Sequence, residues 1–249
     1  MELEEEIKTR KKEFKKKYMK TQIRKLQFDL SGYYFIGLVG LILIGFWPSY
    51  FSKFFNGTAN FTFYFHFHAS IVAIWVLMLI IQPILIRKKK IHLHRFVGKI
   101  SYWVCPLIFI SIMLLSHSRQ NGFGDGWDIG LWVTFKDLLI LAIAFFVAYR
   151  YRHKVDLHAR GMIVTGIACI EPAAARINFH TPYGYFIVIA LVYSILGILI
   201  FMERKQKKGR WVFPLILGLY IMVHSVIIFG IHFSWWQAFG KWFYHLPLT

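Results

Sequence analysis

Cysteine is nearly absent from this chain, with Cys105 and Cys169 the only two among 249 residues. Two isolated thiols in apolar surroundings offer no disulfide framework and read as packing residues. The chain has no HExxH box, no Ser-His-Asp spacing, no phosphate-binding loop and no paired His boxes of the desaturase type. Those absences remove the zincin, serine-hydrolase, nucleotidase and desaturase-like di-iron readings. No apolar run lies near Met1, so a cleaved signal peptide is not expected. No sequence repeat supports an inverted-repeat carrier. Acidic residues are few: 12 Asp and Glu against 30 Lys and Arg, for a net charge of +18.

What is plentiful is apolar surface. Hydrophobic residues make up 57% of the chain and aromatics 19%, with mean hydropathy +0.50, beyond the range of an ordinary soluble domain. Apolar stretches long enough for a bilayer, roughly 20 residues each, fall at 33–51, 63–86, 96–116, 129–148, 159–176, 185–201 and 211–231. The fifth is the least regular, because it contains Glu171 and Pro172. Short loops join them, so the expected fold is all-α: one polytopic membrane bundle of about seven transmembrane helices.

Charge sets the expected orientation. Twenty-five of the 30 Lys and Arg lie in the N-terminal tail and three alternate loops, around 87–95 (with Lys99 just beyond), 150–160 and 204–210. Cytoplasmic loops carry the basic excess, so the N-terminus is expected inside and the C-terminus outside, in a bacterial cytoplasmic membrane. The basic face should attract anionic membrane lipids; nucleic acid is not an expected partner. Three regions follow: a basic cytoplasmic helix or tail over 1–29, the seven-helix domain over 30–232, and an interfacial tail over 233–249. The first has Glu2, Glu4, Glu5 and Glu6 ahead of Lys8, Arg10, Lys11 and Lys12, which suits i,i+4 pairing and the helix dipole. The last carries Trp235, Trp236, Trp242, Phe243 and Tyr244, as an aromatic belt does.

Ionisable residues inside a span are costly and point to function. Lys136 and Asp137 fall at the middle of the fourth span. Glu171 and His224 lie roughly 5 Å outward of the middle of theirs, and His68 about 9 Å, from the helical rise. Four helices thus send polar groups to one layer. Neutral imidazoles and carboxylates are ligands for zinc or iron, so His68 and His224, with Glu171 and Asp137, form a candidate metal site. His66 and His68 point about 200° apart on a regular helix, and the deeper His68 is the better candidate. The competing account is a structural ion pair of Lys136 with Glu171 or Asp137. A second layer lies at the cytoplasmic edge, where His94 and His158 each begin an outward-running helix. Facing histidines with small residues nearby, here Gly98, Ala159 and Gly161, are what a haem b between helices requires. The neighbouring His92 and His153 read as solvated. Trp75 and Gln82 share the His68 face of the second span.

The segments His66-Phe67-His68-Ala69-Ser70, Trp75, Gln82-Pro83, His94-Arg95 and Gly98 resemble a family of bacterial multi-pass membrane proteins. So do Asp156-Leu157-His158-Ala159-Arg160-Gly161-Met162, Glu171-Pro172-Ala173 and Arg176. The likeness covers roughly residues 62–176. Such families are loosely compared with b-type cytochromes, which implies haem or quinone redox chemistry. The chain departs from the cytochrome b pattern: Gln82 stands where that pattern would put a second His on the His68 helix. A two-haem arrangement is therefore not expected.

Four readings compete. The leading one is an oxidoreductase using haem b or a transition metal (Fe or Zn), with a small hydrophobic substrate or quinone as partner. In it His94 and His158 bind the cofactor, His68 and His224 bind metal, and Glu171, Asp137 and Lys136 form the reactive layer. The second is a zinc-dependent hydrolase acting on a lipid-like substrate. The third is a proton-coupled transporter whose relay is Lys136, Asp137, Glu171 and His224. The fourth is a structural subunit in which these residues lock helices together.

Overall fold

The computed structural model describes Glu6, Arg10 and residues 28–120, 122–177, 183–206 and 208–249. The helix or tail expected over 1–29 lies almost wholly outside the described residues. Of it, an exposed Arg10–Glu6 pair at 3.1 Å is seen.

Every regular element among the described residues is helical. Helix α1 (Ser31–Phe46) runs through a π-helical turn (Trp47–Phe51) into a last helical turn (Ser52–Phe55). Then come α2 (Phe63–Arg87), α3 (Ile91–Ser118), α4 (Trp127–Arg150), α5 (Val155–Ile167), α6 (Ile170–Ala174), α7 (Gly184–Met202), α8 (Val212–Ile228) and α9 (Ser234–Tyr244). Five helical stretches are long and apolar enough to cross a membrane: Ser31–Phe55, α2, α3, α4 and α7. Their outer faces expose large apolar side chains such as Trp103, Phe146, Ile198 and Phe201. A backbone that satisfies its own hydrogen bonds and turns apolar groups outward is what hydrocarbon demands. The chain is an integral multi-pass membrane protein.

The stretch expected as one fifth span, 159–176, is two helices. Helix α5 ends at Ile167 and α6 begins at Ile170. Pro172 explains the position of the break. It has no N–H for the carbonyl four residues back, and its ring crowds that carbonyl. The residue four back is Ala168, in the gap. The chain bridges it with a tighter bond, Cys169 N to Gly166 O at 3.1 Å.

Helices in lipid gain little from the hydrophobic effect and hold together by close packing. Two glycines show this. A Cβ on Gly161 of α5 would lie 2.7 Å from the Ala148 nitrogen and 2.8 Å from the Ala144 oxygen of α4. On Gly45 of α1, a Cβ would collide with the Ala173 carbonyl of α6. Side chains then fill three cores. One joins α4, α5, α7 and α8 around Phe213, Ile216 and Tyr220. Another surrounds Trp75 between α1, α2 and α3. The third packs α9 on α4 through Trp236, Phe243 and Leu131.

The turns after α2, α4 and α7 gather at one end, here called the basic end. His94 and His158, just past the first two, have rings 6.4 Å apart, and Arg160 of α5 bonds Glu203 after the third at 2.7 Å while lying 5.1 Å from the Phe28 ring. The aromatic tail expected over 233–249 forms α9 at the opposite end. Asp128 anchors it, accepting His232 Nδ1 at 2.6 Å and Gln237 Nε2 at 3.0 Å, while its carbonyl accepts Trp236 Nε1 at 2.9 Å. Trp235 and Trp242 face outward.

Candidate functional site

Four residues of the interior polar layer, Lys136, Asp137, Glu171 and His224, form a single hydrogen-bonded network. Lys136 of α4 has a fully buried ammonium, which donates to Asp137 Oδ1 at 2.7 Å and to Glu171 Oε1 at 2.5 Å. Glu171, on α6 just past the break, also takes His224 of α8. The His224 Nε2 lies 3.1 Å from Oε2 and 3.3 Å from Oε1. A carboxylate only accepts, so Nε2 carries the proton. With the ring neutral, Nδ1 is then left to accept from the Tyr193 hydroxyl of α7 at 3.2 Å. Tyr193 and Tyr220 also pack their rings on His224, at 5.7 and 5.4 Å between centroids. The hydroxyls of Tyr185 and Tyr220 are buried and make no hydrogen bond among the described residues. One carboxylate therefore joins an ammonium and an imidazole. The arrangement can pass a proton or lock helices; its donor set is poor for a metal, because the ammonium occupies the carboxylate oxygen a cation would need.

His68 stands apart from that network. Its Nδ1 is 3.0 Å from Ser111 Oγ on α3. Ser111 spends its own proton on the Ile108 carbonyl at 2.9 Å, so it must accept from Nδ1–H. The expected metal set is thus brought together in part: Asp137 and Glu171 meet through Lys136 and His224 bonds Glu171 directly, while His68 turns to the neighbouring helix. Among the described residues, no group of three or more His, Cys, Asp or Glu is placed to hold a metal ion. His66 pairs with the Tyr50 hydroxyl at 2.9 Å.

The second expected pair does meet. His94, in the first turn of α3, and His158, in the first turn of α5, have ring centroids 6.4 Å apart and planes at 85°. His158 Nδ1 lies 2.9 Å from the Ala148 carbonyl of α4. A carbonyl only accepts, so Nδ1 carries the proton and Nε2 of the neutral ring keeps a free lone pair. The His94 ring lies beside the main chain of Gln82, yet its buried Nδ1 makes no hydrogen bond among the described residues. Both amide atoms of Gln82 and the indole nitrogen of Trp75 are likewise buried without such a bond. Gly98 lies close enough that a Cβ there would be 3.7 Å from Gln82 Nε2.

Several partners escaped the sequence reading. Tyr220 and His224 are four apart and so share a helix face, a signal present but unused. Ser111 and Tyr193 carry no such signal, since each meets its histidine across helices. Arg160 was counted with the loop charges, but it is fully buried. Its guanidinium bonds Glu203 Oε1, Gln206 Oε1 and the Asp156 carbonyl, each at 2.7 Å. Comparison with known proteins adds nothing to this geometry: no family model, no curated protein and no solved structure matches the chain.

Proposed function

We propose that this is a haem-binding redox protein of a bacterial cytoplasmic membrane, in which His94 and His158 would hold the haem iron. The observation that carries the reading is their separation. Two imidazoles on opposite faces of one metal, each about 2 Å from it, have ring centres roughly 6 Å apart. His94 and His158 stand at 6.4 Å, on different helices. Neither is hydrogen-bonded to the other. The His158 tautomer supports the reading as well: proton to a backbone carbonyl, lone pair outward, is how a ligating histidine is oriented. The unsatisfied Gln82 amide and Trp75 indole line the same α2 face, and buried polar atoms without partners call for something to bind.

A haem held there would supply one-electron chemistry, and its natural exchange partner within a bilayer is a small hydrophobic carrier such as a quinone. The chain's own task is to fix both rings, through Ala148 on one side and the α2–α3 packing on the other. The proposal includes seven crossings, with α5–α6 together and α8 added to the five long helices, and the basic end on the cytoplasmic side. A zinc hydrolase has less support, because both nitrogens of His224 are engaged and His68 bonds Ser111.

The test is an absorption spectrum of detergent-purified protein, oxidised and dithionite-reduced, with metal analysis of the same sample. A Soret band that moves on reduction is expected. It should be lost in His94→Ala and in His158→Ala and kept in His92→Ala and His153→Ala. A protein that stays colourless when expressed with added haem precursor and supplied with haem after purification overturns the reading.

A further inference from the structure

The network at Glu171 is more than a helix clamp by its charge count, and the count does not depend on haem at His94 and His158. Lys136 brings one positive charge. Asp137 and Glu171 bring two negative ones, and both bond the same ammonium. With His224 neutral, the quartet is one charge short of balance. The nearest further cation is Arg176 of the same segment. It acts on Asp137 only from a distance: its guanidinium donates to the Pro172 carbonyl at 2.7 Å and lies 4.2 Å from the Phe46 ring. Arg119 opposes it from the end of α3. His68 of α2 is within its field, and the remaining neighbours of the carboxylates are the phenols of Tyr185, Tyr193 and Tyr220 and the thiol of Cys169. A permanent lock would balance its charges internally, because uncompensated charge in a low-dielectric interior is expensive. Here one proton completes the local balance, and distant Arg176 softens the cost of losing it.

The geometry also gives a direction. Lys136 and His224 side chains are fully buried and Glu171 is 4% exposed, while Asp137 is 13% exposed. We propose that the Asp137–Lys136–Glu171–His224 chain is a reversible proton-binding site, filled through Asp137 and storing the proton on Glu171. A proton arriving on Asp137 moves as follows. Lys136 gives one proton to Glu171 and takes one from Asp137, so the lysine ends charged, Asp137 ends ionised and Glu171 ends protonated. Glu171 then keeps that proton, because the His224 Nε2 that faces it already carries one and only donates. No electron or co-reactant is required.

Infrared difference spectroscopy of the protein in nanodiscs, taken across a pH change from mildly alkaline to mildly acidic, tests this directly. A protonated-carboxyl band is expected to grow with acidification, together with shifts in histidine ring bands. The band should vanish in Glu171→Gln, and in Asp137→Asn it should persist but rise more slowly after a pH jump. Should Glu171→Gln fail to fold, histidine isotope labelling of the wild type reads the same site. Repeating the titration in His94→Ala/His158→Ala separates this site from the haem reading, since the band should be unchanged there. A wild-type spectrum with no titrating carboxyl, or a band that survives Glu171→Gln intact, overturns the proposal.

Discussion

Glu171→Ala is expected to destabilise the protein by about 3–5 kcal/mol, the usual cost of removing one partner from a buried ion pair. The reason lies in what remains. Lys136 loses its strongest acceptor while staying fully buried, and His224 Nε2 loses its own. Asp137 still holds the ammonium, so the loss falls short of leaving a naked charge. Thermal unfolding in a single detergent, against wild type, is the measurement. The double variant Lys136→Met/Glu171→Gln removes both charges together, and should recover part of the loss, because paired apolar or neutral replacements are tolerated where a lone buried charge is not. A single variant within about 1 kcal/mol of wild type would show that the pair is solvated, as surface pairs of that worth are.

The second large effect is expected at the basic end. Arg160→Ala strips three hydrogen bonds at once and should cost about 3–5 kcal/mol on the same grounds. It leaves the Glu203 carboxylate buried with no cation at bonding distance among the described residues, and Gln206 without its donor. Arg160→Lys should rescue little: one ammonium cannot reach the three divergent acceptors that a planar guanidinium serves. Burial already pushes the Glu203 carboxyl above its ordinary range, against the opposing pull of Arg160. The sign of the pH dependence follows. A carboxyl whose pKa is raised on folding binds its proton more tightly in the folded state, so stability falls as pH rises through that window. Without Arg160 the larger part of the downward pull is gone, Arg210 keeping only a lesser share, and the window widens. Arg160→Ala should therefore lie closest to wild type at acidic pH and fall away from it toward neutrality, as melts across pH would show. A deficit independent of pH would mean that lost packing, not the stranded carboxylate, is what matters.

Much of this could be read from the chain alone, and the reasons are specific. The helices that cross followed from hydropathy, since hydrocarbon leaves few alternatives to long apolar helices. Lys136, Asp137, Glu171 and His224 could be set at one depth, because depth is arithmetic on a helical rise. Depth says nothing of azimuth, however. His68 shares that layer but faces α3, so it bonds Ser111 and stays out of the network. The His94–His158 approach was legible because both begin helices at the same end. The Ala148 carbonyl that orients His158 was not, since backbone acceptors leave no trace in side-chain identity. Arg160 misled for a different reason: it closes a basic cluster that also holds the exposed Arg152, His153 and Lys154, and pattern alone does not separate an arginine that neutralises lipid from one folded inward. Pro172 announced a disturbance, while the two-residue gap at Ala168–Cys169 needed the i−4 carbonyl to be located.

That gap divides labour along one strand of chain. Up to Ile167 the segment is fastened to α4 through Gly161, and it carries His158. From Ile170 on it is fastened to α1 through Gly45, and it carries Glu171. A rotation or tilt imposed at one fastening is dissipated in the short tight turn and is not transmitted as it would be along an unbroken rod. Each chemical group thus has its own mount, and the protein can readjust the geometry around the carboxylate while holding the histidine pair still.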